Sequence, residues 1–189
     1  MRLLNAGRTL FAKNGYEQTS TAAIARESGS SESQLIRYFG GKAGLLEAIF
    51  NESWTGLNDL VQQHINESEH GREAIIRILS MLTQAFSQDH DIAFLFLFEG
   101  RRIRSGSREV LLSQGYLRFV EVIDMLIERG RQDGSFRTDI DPKVLSSAML
   151  GCAEGMIRDR VIAERNRESH PYDDVAVVRT FTAMVNGLA

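Results

Sequence analysis

The sequence predicts an all-α fold of about nine helices, with a small domain in residues 1–44 and a larger helical domain in residues 45–189. Apolar residues recur at spacings of three and four along most of the chain, which is the period of a helix with one buried face. Proline is rare, with only Pro142 and Pro171 in 189 residues, and proline disrupts the interior of a helix. Both observations favour long helices over strands.

Composition and charge narrow the class of protein. Hydrophobic residues make up 43% of the chain, yet no apolar run reaches the roughly 18 residues that a membrane span needs. The single cysteine, Cys152, excludes an internal disulfide framework, and no secretory signal sequence opens the chain. We therefore expect a cytoplasmic protein with no membrane partner.

Residues 19–42, TSTAAIARESGSSESQLIRYFGGK, have the pattern of two short helices joined by a tight turn. The hydroxyl groups of residues 19–21 suit the start of a helix, and Gly29 suits the left-handed residue that follows a helix end. Apolar residues then recur at helical spacing within residues 35–39. This arrangement is the signature of a helix-turn-helix motif, whose second helix can enter the major groove of DNA.

The stretch resembles the N-terminal domain of the TetR (tetracycline repressor) family of transcription regulators. The matching positions are Ala6, Leu10, Phe11, Gly15, Tyr16, Thr19, Ser20, Ile24, Ala25, Gly29, Ser31, Leu35, Tyr38, Phe39, Lys42, Leu45 and Leu46. Beyond them, the resemblance rests on chain length and the all-helical pattern. It implies a transcription regulator, most often a repressor in this family, that binds a near-palindromic operator as a homodimer and responds to a small-molecule effector. By comparison with the family, the chain starts inside its first helix, so we expect no basic N-terminal arm.

Charge is distributed unevenly along the chain. Residues 1–44 hold six basic and three acidic residues, a net charge of +3, so the rest of this chain of net charge −3 carries −6. A mildly positive N-terminal segment followed by an acidic remainder suits a small DNA-binding domain joined to a regulatory domain.

The second helix of the motif would carry the residues that read DNA. Its first turn points into the major groove in helix-turn-helix docking. Arg37 is the best candidate for a bidentate contact with guanine, and Gln34 could read adenine in the same way. The resemblance implies that Tyr38 and Lys42 contact backbone phosphate. The predicted DNA-binding residues are Ser20, Thr21, Ser31, Glu32, Ser33, Gln34, Arg37, Tyr38 and Lys42.

Several of these residues have an alternative structural role. Ser31 and Gln34 have the spacing of a capping box, in which Gln34 bonds back to its own helix start. Glu32 could simply complement the helix dipole. Tyr38 could be a core aromatic, and Arg37 could be a solvated surface charge.

Two residues depart from the family pattern. Family members often carry Lys or a small residue at the position of Glu32, and an acid there repels phosphate unless it accepts from a cytosine amine. They also commonly have Tyr at the position of Ile36, which offers no hydrogen bond. These departures motivate an alternative function, that of a helical small-molecule-binding or protein-interaction module that has lost specific operator binding.

The larger domain reads as a series of amphipathic helices. The apolar spacing predicts helices from Ala43 to about residue 66, over residues 72–88, over residues 108–132, from Asp141-Pro142 to about Asn166 and from Val175 to Leu188, with a loop at residues 100–107. The first would connect the two domains. Residues 92–98, IAFLFLF, alternate like a strand, but with helices on both sides we interpret them as a buried helix.

The last two helices predict a dimer interface. One carries small residues on one side and the other a broad apolar face, so two copies could form a four-helix contact about a two-fold axis. The predicted interface residues are Ala148, Gly151, Cys152, Gly155, Val178, Phe181 and Val185. For the effector, the aromatic and methionine candidates are Phe86, Phe94, Phe98, Tyr116, Phe119 and Met125, although ordinary core packing is an alternative for each.

The sequence predicts no catalytic residue, metal site or cofactor, and hence no enzyme. Gly41-Lys42 lacks the earlier glycine and the following Ser or Thr of a phosphate-binding loop. The four histidines lack metal-ligand spacing with one another or with Cys152, and no Ser/His/Asp grouping is evident.

Overall fold

The computed structural model describes residues 2–66, 70–100 and 113–188, and these ranges contain helices and no strand. The helices are α1 (Arg2–Asn14), α2 (Thr21–Ser28), α3 (Glu32–Phe39), α4 (Lys42–Asn66), α5 (Gly71–Gln88), α6 (His90–Phe94), α7 (Gln114–Gln132), α8 (Pro142–Asn166) and α9 (Asp174–Asn186). A π-helix (Leu95–Glu99) follows α6 directly. The all-α prediction is confirmed, and residues 92–98 are helical. The predicted loop after Gly100 and the start of the helix at 108 lie outside the described residues.

Contacts between helices divide the chain into two compact units. The first comprises Met1–Gly56 with Asp91–Tyr116, and the second comprises Leu57–His90 with Leu117–Ala189. The division falls within α4, which contributes its first part to one unit and its last part to the other. The functional boundary at residues 44 and 45 stays a prediction.

In the first unit, α1, α2 and α3 surround a small core with the start of α4. Phe11, Ile24, Leu35 and Leu45 are completely buried there. Two consecutive left-handed glycines, Gly40 and Gly41, follow α3. The glycines thus end the helix, as the sequence predicts.

The connection from α3 to α4 leaves no room for a side chain. A Cβ atom at Gly44 would lie 1.8 Å from the carbonyl oxygen of Phe39. Glycine is therefore required at this position, and the tight turn fixes α3 relative to the start of α4.

An aromatic cluster completes the first unit. The indole of Trp54 on α4 stacks on Phe96 of the π-helix, with ring centroids 4.5 Å apart and planes at 8°. Phe50 packs against the same ring at 5.8 Å, and Tyr116 meets Trp54 edge-on at 5.6 Å. Such contacts contribute about 0.5–1.5 kcal/mol per pair beyond burial, so they tie the π-helix to α4.

In the second unit, α5, α7, α8 and α9 enclose the larger core. The start of α8 follows the predicted rule, because Asp141 accepts hydrogen bonds from the backbone amides of Lys143 and Val144, and Pro142 occupies the first turn. Ile78, Leu126 and Val177 are almost completely buried in this unit.

The start of α5 is capped by a residue from the end of α7. The Oδ2 atom of Asp133 accepts from the backbone amide of Gly71 at 2.9 Å, and its Oδ1 atom accepts from the amide of Ser135 at 2.9 Å. Burial alone would raise the pKa of Asp133, but the hydrogen bonds from Ser135 and Gly71 and the proximity of His70 together lower it to about 2. The carboxylate is thus the form that the fold stabilises.

Replacing Asp133 by alanine should lower the unfolding free energy by about 1 kcal/mol, because the amide of Gly71 loses its cap. For a chain of this size that is a fall in Tm of about 2–4 °C. The pKa is below its ordinary value of 3.8, so the stabilisation is present above that pH and is lost as the pH falls towards 2. Thermal unfolding at several pH values should show that the difference in Tm between wild type and D133A becomes smaller as the pH falls.

The matched control is Asp139→Ala. Asp139 is exposed and pairs with Arg137 at 2.6 Å, and an exposed ion pair of this kind contributes little. Equal losses of Tm in D133A and D139A, or a D133A effect that does not depend on pH, would contradict the capping role.

Candidate functional site

The two helices of the helix-turn-helix motif both begin with a serine cap. Ser20 Oγ accepts from the amide of Ala23 at 3.1 Å, which starts α2. Ser31 Oγ accepts from the amide of Gln34 at 3.2 Å, and Gln34 Oε1 accepts from the amide of Ser31 at 3.1 Å. This is a complete capping box, so Gln34 has the structural role that its spacing allows, and the start of α3 is held rigid.

A side-chain hydrogen bond links the starts of α2 and α3. The hydroxyl of Thr21 donates to Oε2 of Glu32 at 2.7 Å. The acid that is unusual for a DNA-facing helix therefore has a partner within the motif. Sequence reasoning missed this pair, because the residues belong to different helices and only the folded turn brings them together.

Arg37 and Tyr38 are exposed neighbours on α3 and contact each other. Arg37 Nη2 donates to the hydroxyl of Tyr38 at 2.6 Å, and the guanidinium carbon lies 4.7 Å from the centre of the tyrosine ring. The ring is 62% exposed, so Tyr38 is not a core aromatic. Ile36 is also unusually open for an apolar residue, at 55% exposure. Ser33 is exposed on the same helix.

Lys42 is the first residue of α4 and is held by the turn that follows α1. Its Nζ atom donates to the carbonyl oxygens of Tyr16 and Glu17 at 2.9 and 3.4 Å and lies 4.3 Å from the centre of the Tyr16 ring. The amide of Tyr16 in turn donates to Oε1 of Glu99 at 3.3 Å. Glu99 belongs to the π-helix and is only 3% exposed.

Glu99 is a residue that sequence reasoning missed. It is 83 residues from Tyr16 in the chain, and nothing in the local pattern marks it as different from the other acids. The contacts of Lys42, Tyr16 and Glu99 connect the start of α4, which follows α3 closely, to the π-helix within the first unit. They form a chain that we call the Lys42–Tyr16–Glu99 link.

The two described clefts each contain one of the predicted effector residues. A cleft among α5, α7, α8 and α9, which we call the apolar cleft, includes only Phe119 of them. Its lining residues are Ile75, Ile78, Leu79, Leu82, Phe119, Ile123, Met149, Leu150, Ala153 and Phe181. Phe86 lies in a second, more polar cleft in the same unit.

The other effector candidates lie elsewhere. Phe94 and Phe98 stack on each other with centroids 4.9 Å apart in the first unit, where Tyr116 contacts Trp54. Met125 is exposed on α7. An apolar residue at helical spacing can face a core, a cleft or solvent, and the sequence alone did not separate these three.

The predicted interface residues divide between surface and core. Ala148 and Gly151 are exposed on α8, and Cys152, Gly155 and Val178 are half-buried. In contrast, Phe181 and Val185 of α9 are buried inside the protomer.

The large apolar residues that α9 exposes are instead Val175 and Met184, which lie nine positions apart and so on opposite sides of the helix, and Met184 is on the side that meets α8. The thiol of Cys152 lies 3.3 Å from the Met184 sulfur, which joins this side of α9 to the small-residue side of α8. Burial raises the pKa of the Cys152 thiol, so it is held in the neutral form.

Within the described ranges, no group of three or more His, Cys, Asp and Glu side chains could hold a metal ion. Among the same residues, none of the helices has the length and apolar character required to cross a membrane.

Two family models together match nearly the whole chain. Residues 3–49 match bacterial regulatory proteins of the tetR family, and residues 50–184 match the C-terminal region of the YsiA-like protein. The chain belongs to the TetR family. It is a DNA-binding transcription regulator, and its family is one of regulators rather than enzymes.

Among curated relatives, the TetR-family chain is 23% identical over 181 residues to the fatty acid metabolism regulator protein of Bacillus subtilis (strain 168), with 94% of this chain and 88% of the relative covered. It is 25% identical over 139 residues to the HTH-type transcriptional repressor KstR2 of Rhodococcus jostii (strain RHA1), covering 74% of this chain and 68% of that protein.

Solved structures share the fold along the whole length. The transcriptional regulator FadR from Bacillus subtilis, in complex with stearoyl-CoA, superposes with a TM-score of 0.85 at 20% identity, covering 100% of this chain and 98% of that one. The fatty acid degradation regulator FadR from Bacillus halodurans gives a TM-score of 0.81 at 20% identity, with 98% and 97% covered.

Replacing Arg37 by alanine should weaken binding to a DNA site selected from a random pool by about 5- to 150-fold, because a bidentate contact with guanine is worth about 1–3 kcal/mol. The variant should keep its thermal stability, since Arg37 and Tyr38 are both exposed. Fluorescence anisotropy of labelled DNA measures the change.

The control for this variant is Arg118→Ala, which removes an exposed arginine from α7 in the second unit. It should leave DNA affinity within a factor of two, on the order of the error of such measurements. Unchanged affinity in R37A would show that Arg37 does not read bases.

Proposed function

We propose that this TetR-family regulator is a homodimeric repressor that binds a near-palindromic operator and releases it when an acyl compound, such as a long-chain acyl-CoA, binds the second unit. The observation that carries the proposal is the apolar cleft in a chain that shares its fold with FadR in complex with stearoyl-CoA. All ten residues lining that cleft are apolar, which suits an alkyl chain better than a polar metabolite.

The size of the apolar cleft makes the proposed binding conformationally demanding. The cleft has an empty volume of about 280 Å³, part of which is open to solvent. Ligand pockets typically enclose about 300–1,000 Å³. A long acyl chain therefore needs the surrounding helices to separate, so it favours a more open arrangement and shifts the population towards it.

Helix α4 offers a route for that shift to reach DNA. It is one continuous helix whose last part, from Leu57, belongs to the second unit. Its first residue is Lys42, which is bonded to Tyr16, and its Trp54 stacks on the π-helix. A displacement of α4 would thus move the link that holds α3, and the spacing of two reading helices in a dimer would change.

The proposed dimer uses the exposed face of α8 and α9. Ala148 and Gly151 let another helix approach closely, and no atom lies within 4 Å of a Cβ placed at Gly151. Met184 adds a large apolar side chain that is 46% exposed. Since Phe181 and Val185 are buried, they would support this face from behind and not touch the partner.

Stearoyl-CoA should release the protein from its selected DNA site, whereas CoA alone should not. Filling the apolar cleft by Ala153→Phe should raise the stearoyl-CoA concentration needed for release by about tenfold or more, which corresponds to about 1.4 kcal/mol. DNA affinity without ligand should stay unchanged. Anisotropy titrations of the DNA complex measure both quantities.

The matched variant is Ala153→Ser, which changes the same position without filling the cleft. It should respond to stearoyl-CoA nearly as the wild type does. If stearoyl-CoA leaves the wild-type protein bound to DNA, the proposed effector class is wrong. If A153F and wild type release DNA at the same stearoyl-CoA concentration, the apolar cleft is not the binding site.

Introducing a charge by Met184→Glu should convert the dimer into a folded monomer, because a buried unpaired carboxylate at an interface is strongly unfavourable. The control Met125→Glu has nearly the same starting exposure, 45% against 46%, but lies on α7 outside the proposed interface. Multi-angle light scattering measures the mass of each variant. A dimeric M184E variant, or equal dissociation of M125E, would place the interface elsewhere.

A further inference from the structure

A second cleft in the second unit is lined by polar as well as apolar side chains, and we call it the polar cleft. Its polar side is formed by Thr83 and Ser87 on α5 and by Arg160 on α8. Phe86, Ile157 and Val161 supply apolar walls. It encloses about 280 Å³, part of it open to solvent.

Two hydrogen-bond donors of this cleft are buried without a partner among the described residues. The hydroxyl of Thr83 is one, in a residue that is only 2% exposed, and the Nε–H of Arg160 is the other. An unsatisfied buried polar group destabilises a fold, so such groups are rare and call for an explanation. Two of them in the same cleft suggest a bound group that carries a hydrogen-bond acceptor.

The Nη1 atom of Arg160 already has two partners. It pairs with Oδ1 of Asp174 and lies 3.4 Å from the hydroxyl of Ser87. That hydroxyl donates to the same Asp174 oxygen at 2.9 Å. These contacts anchor Arg160 between α5 and Asp174 of α9, and its buried Nε–H is left without an acceptor among the described residues.

Two carboxylates, those of Asp174 and Glu164, lie at the polar cleft, and each contacts a nitrogen-bearing side chain. Arg160 faces Asp174, and His90 Nδ1 lies 2.7 Å from Oε2 of Glu164, while His170 is exposed at the rim. An added carboxylate would be repelled by the carboxylates of Asp174 and Glu164. An uncharged acceptor avoids this repulsion.

The polar cleft and the apolar cleft are lined by neighbouring residues of the same two helices, α5 and α8. Leu82 lines the apolar cleft and the next residue, Thr83, lines the polar one. On α8, Ala153 lines the apolar cleft and Ile157, about one helical turn of ~5.4 Å further, lines the polar cleft. A molecule with an alkyl chain and one polar atom would fit the two together.

We propose that the polar cleft binds the uncharged carbonyl oxygen of the effector, such as that of an ester, thioester or ketone, through the Thr83 hydroxyl and the Arg160 Nε–H. A carbonyl oxygen has two lone pairs and can accept from both donors. The inference rests on the proposed function, and it specifies which group of the effector the protein recognises, namely its carbonyl oxygen. It also selects acyl esters and thioesters over free fatty acids.

The test compares methyl octanoate with octanoate by isothermal titration calorimetry at pH 7.5. The wild type should bind the ester at least about tenfold more tightly than the carboxylate. Thr83→Val keeps the shape of the side chain and removes the hydroxyl, so it should weaken ester binding by about 5- to 10-fold, the range of one hydrogen bond. Its ligand-free Tm should rise by about 2–4 °C, because a buried unsatisfied hydroxyl is gone.

Ser146→Ala is the matched control, since Ser146 on α8 is also a buried hydroxyl without a partner among the described residues but lies outside both clefts. It should raise the Tm in the same way and leave ester binding unchanged. This pair of variants separates a ligand-recognising hydroxyl from a merely unsatisfied one.

Octanoate that binds as tightly as the ester overturns the proposal, as does equal ester affinity in T83V and wild type, or failure of both compounds to bind. Release of DNA by stearoyl-CoA at equal concentrations from T83V and wild type would leave the proposed function intact and contradict only the carbonyl site. No release from either protein would contradict the proposed function itself.

Discussion

The amino group of Lys42 holds the segment that follows α3 against the turn after α1. This charge lies against the ring and carbonyl oxygen of Tyr16, while the adjoining backbone amide bonds to the buried carboxylate of Glu99. Hydrogen bonds that involve an ionised group are worth about twice a neutral one. Because Lys42 follows α3 by only two glycines and begins α4, the same contact fixes both helices. The π-helix that carries Glu99 is thus part of the support of the DNA-reading surface.

This arrangement changes how the DNA-facing charges are understood. Gln34 holds its own helix start, and Glu32 holds the start of α2 through Thr21. The amino group of Lys42 donates a hydrogen bond to the carbonyl oxygen of Tyr16, in the turn after α1. The hydrogen-bond partner of Arg37 among the described residues is the exposed Tyr38, which DNA can replace at little energetic loss. Of the two predicted base-reading residues, Gln34 caps its own helix and Arg37 does not, so we expect specific reading to rest on Arg37.

Sequence reasoning succeeded where the cause is local. The caps at Ser20, Ser31 and Asp141 and the glycines after α2 and α3 follow from residues within a few positions of one another. It failed where distant segments meet, as with Glu99 and Tyr16 or Asp133 and Gly71. Helical period shows that a residue such as Phe181 or Met125 lies on an apolar face. It cannot show whether that face meets the core, a cleft, a partner or solvent.

The buried donors of the polar cleft connect ligand recognition to stability. A ligand-free fold that leaves the Thr83 hydroxyl and the Arg160 Nε–H without acceptors is destabilised by their lost hydration. An effector that supplies one acceptor oxygen relieves this destabilisation only in the arrangement that admits its alkyl chain. The relief is a differential affinity for one state, which is the physical requirement for any population shift. A cleft whose donors were already satisfied would make the unliganded protein more stable and would leave the ligand's acceptor with less to gain.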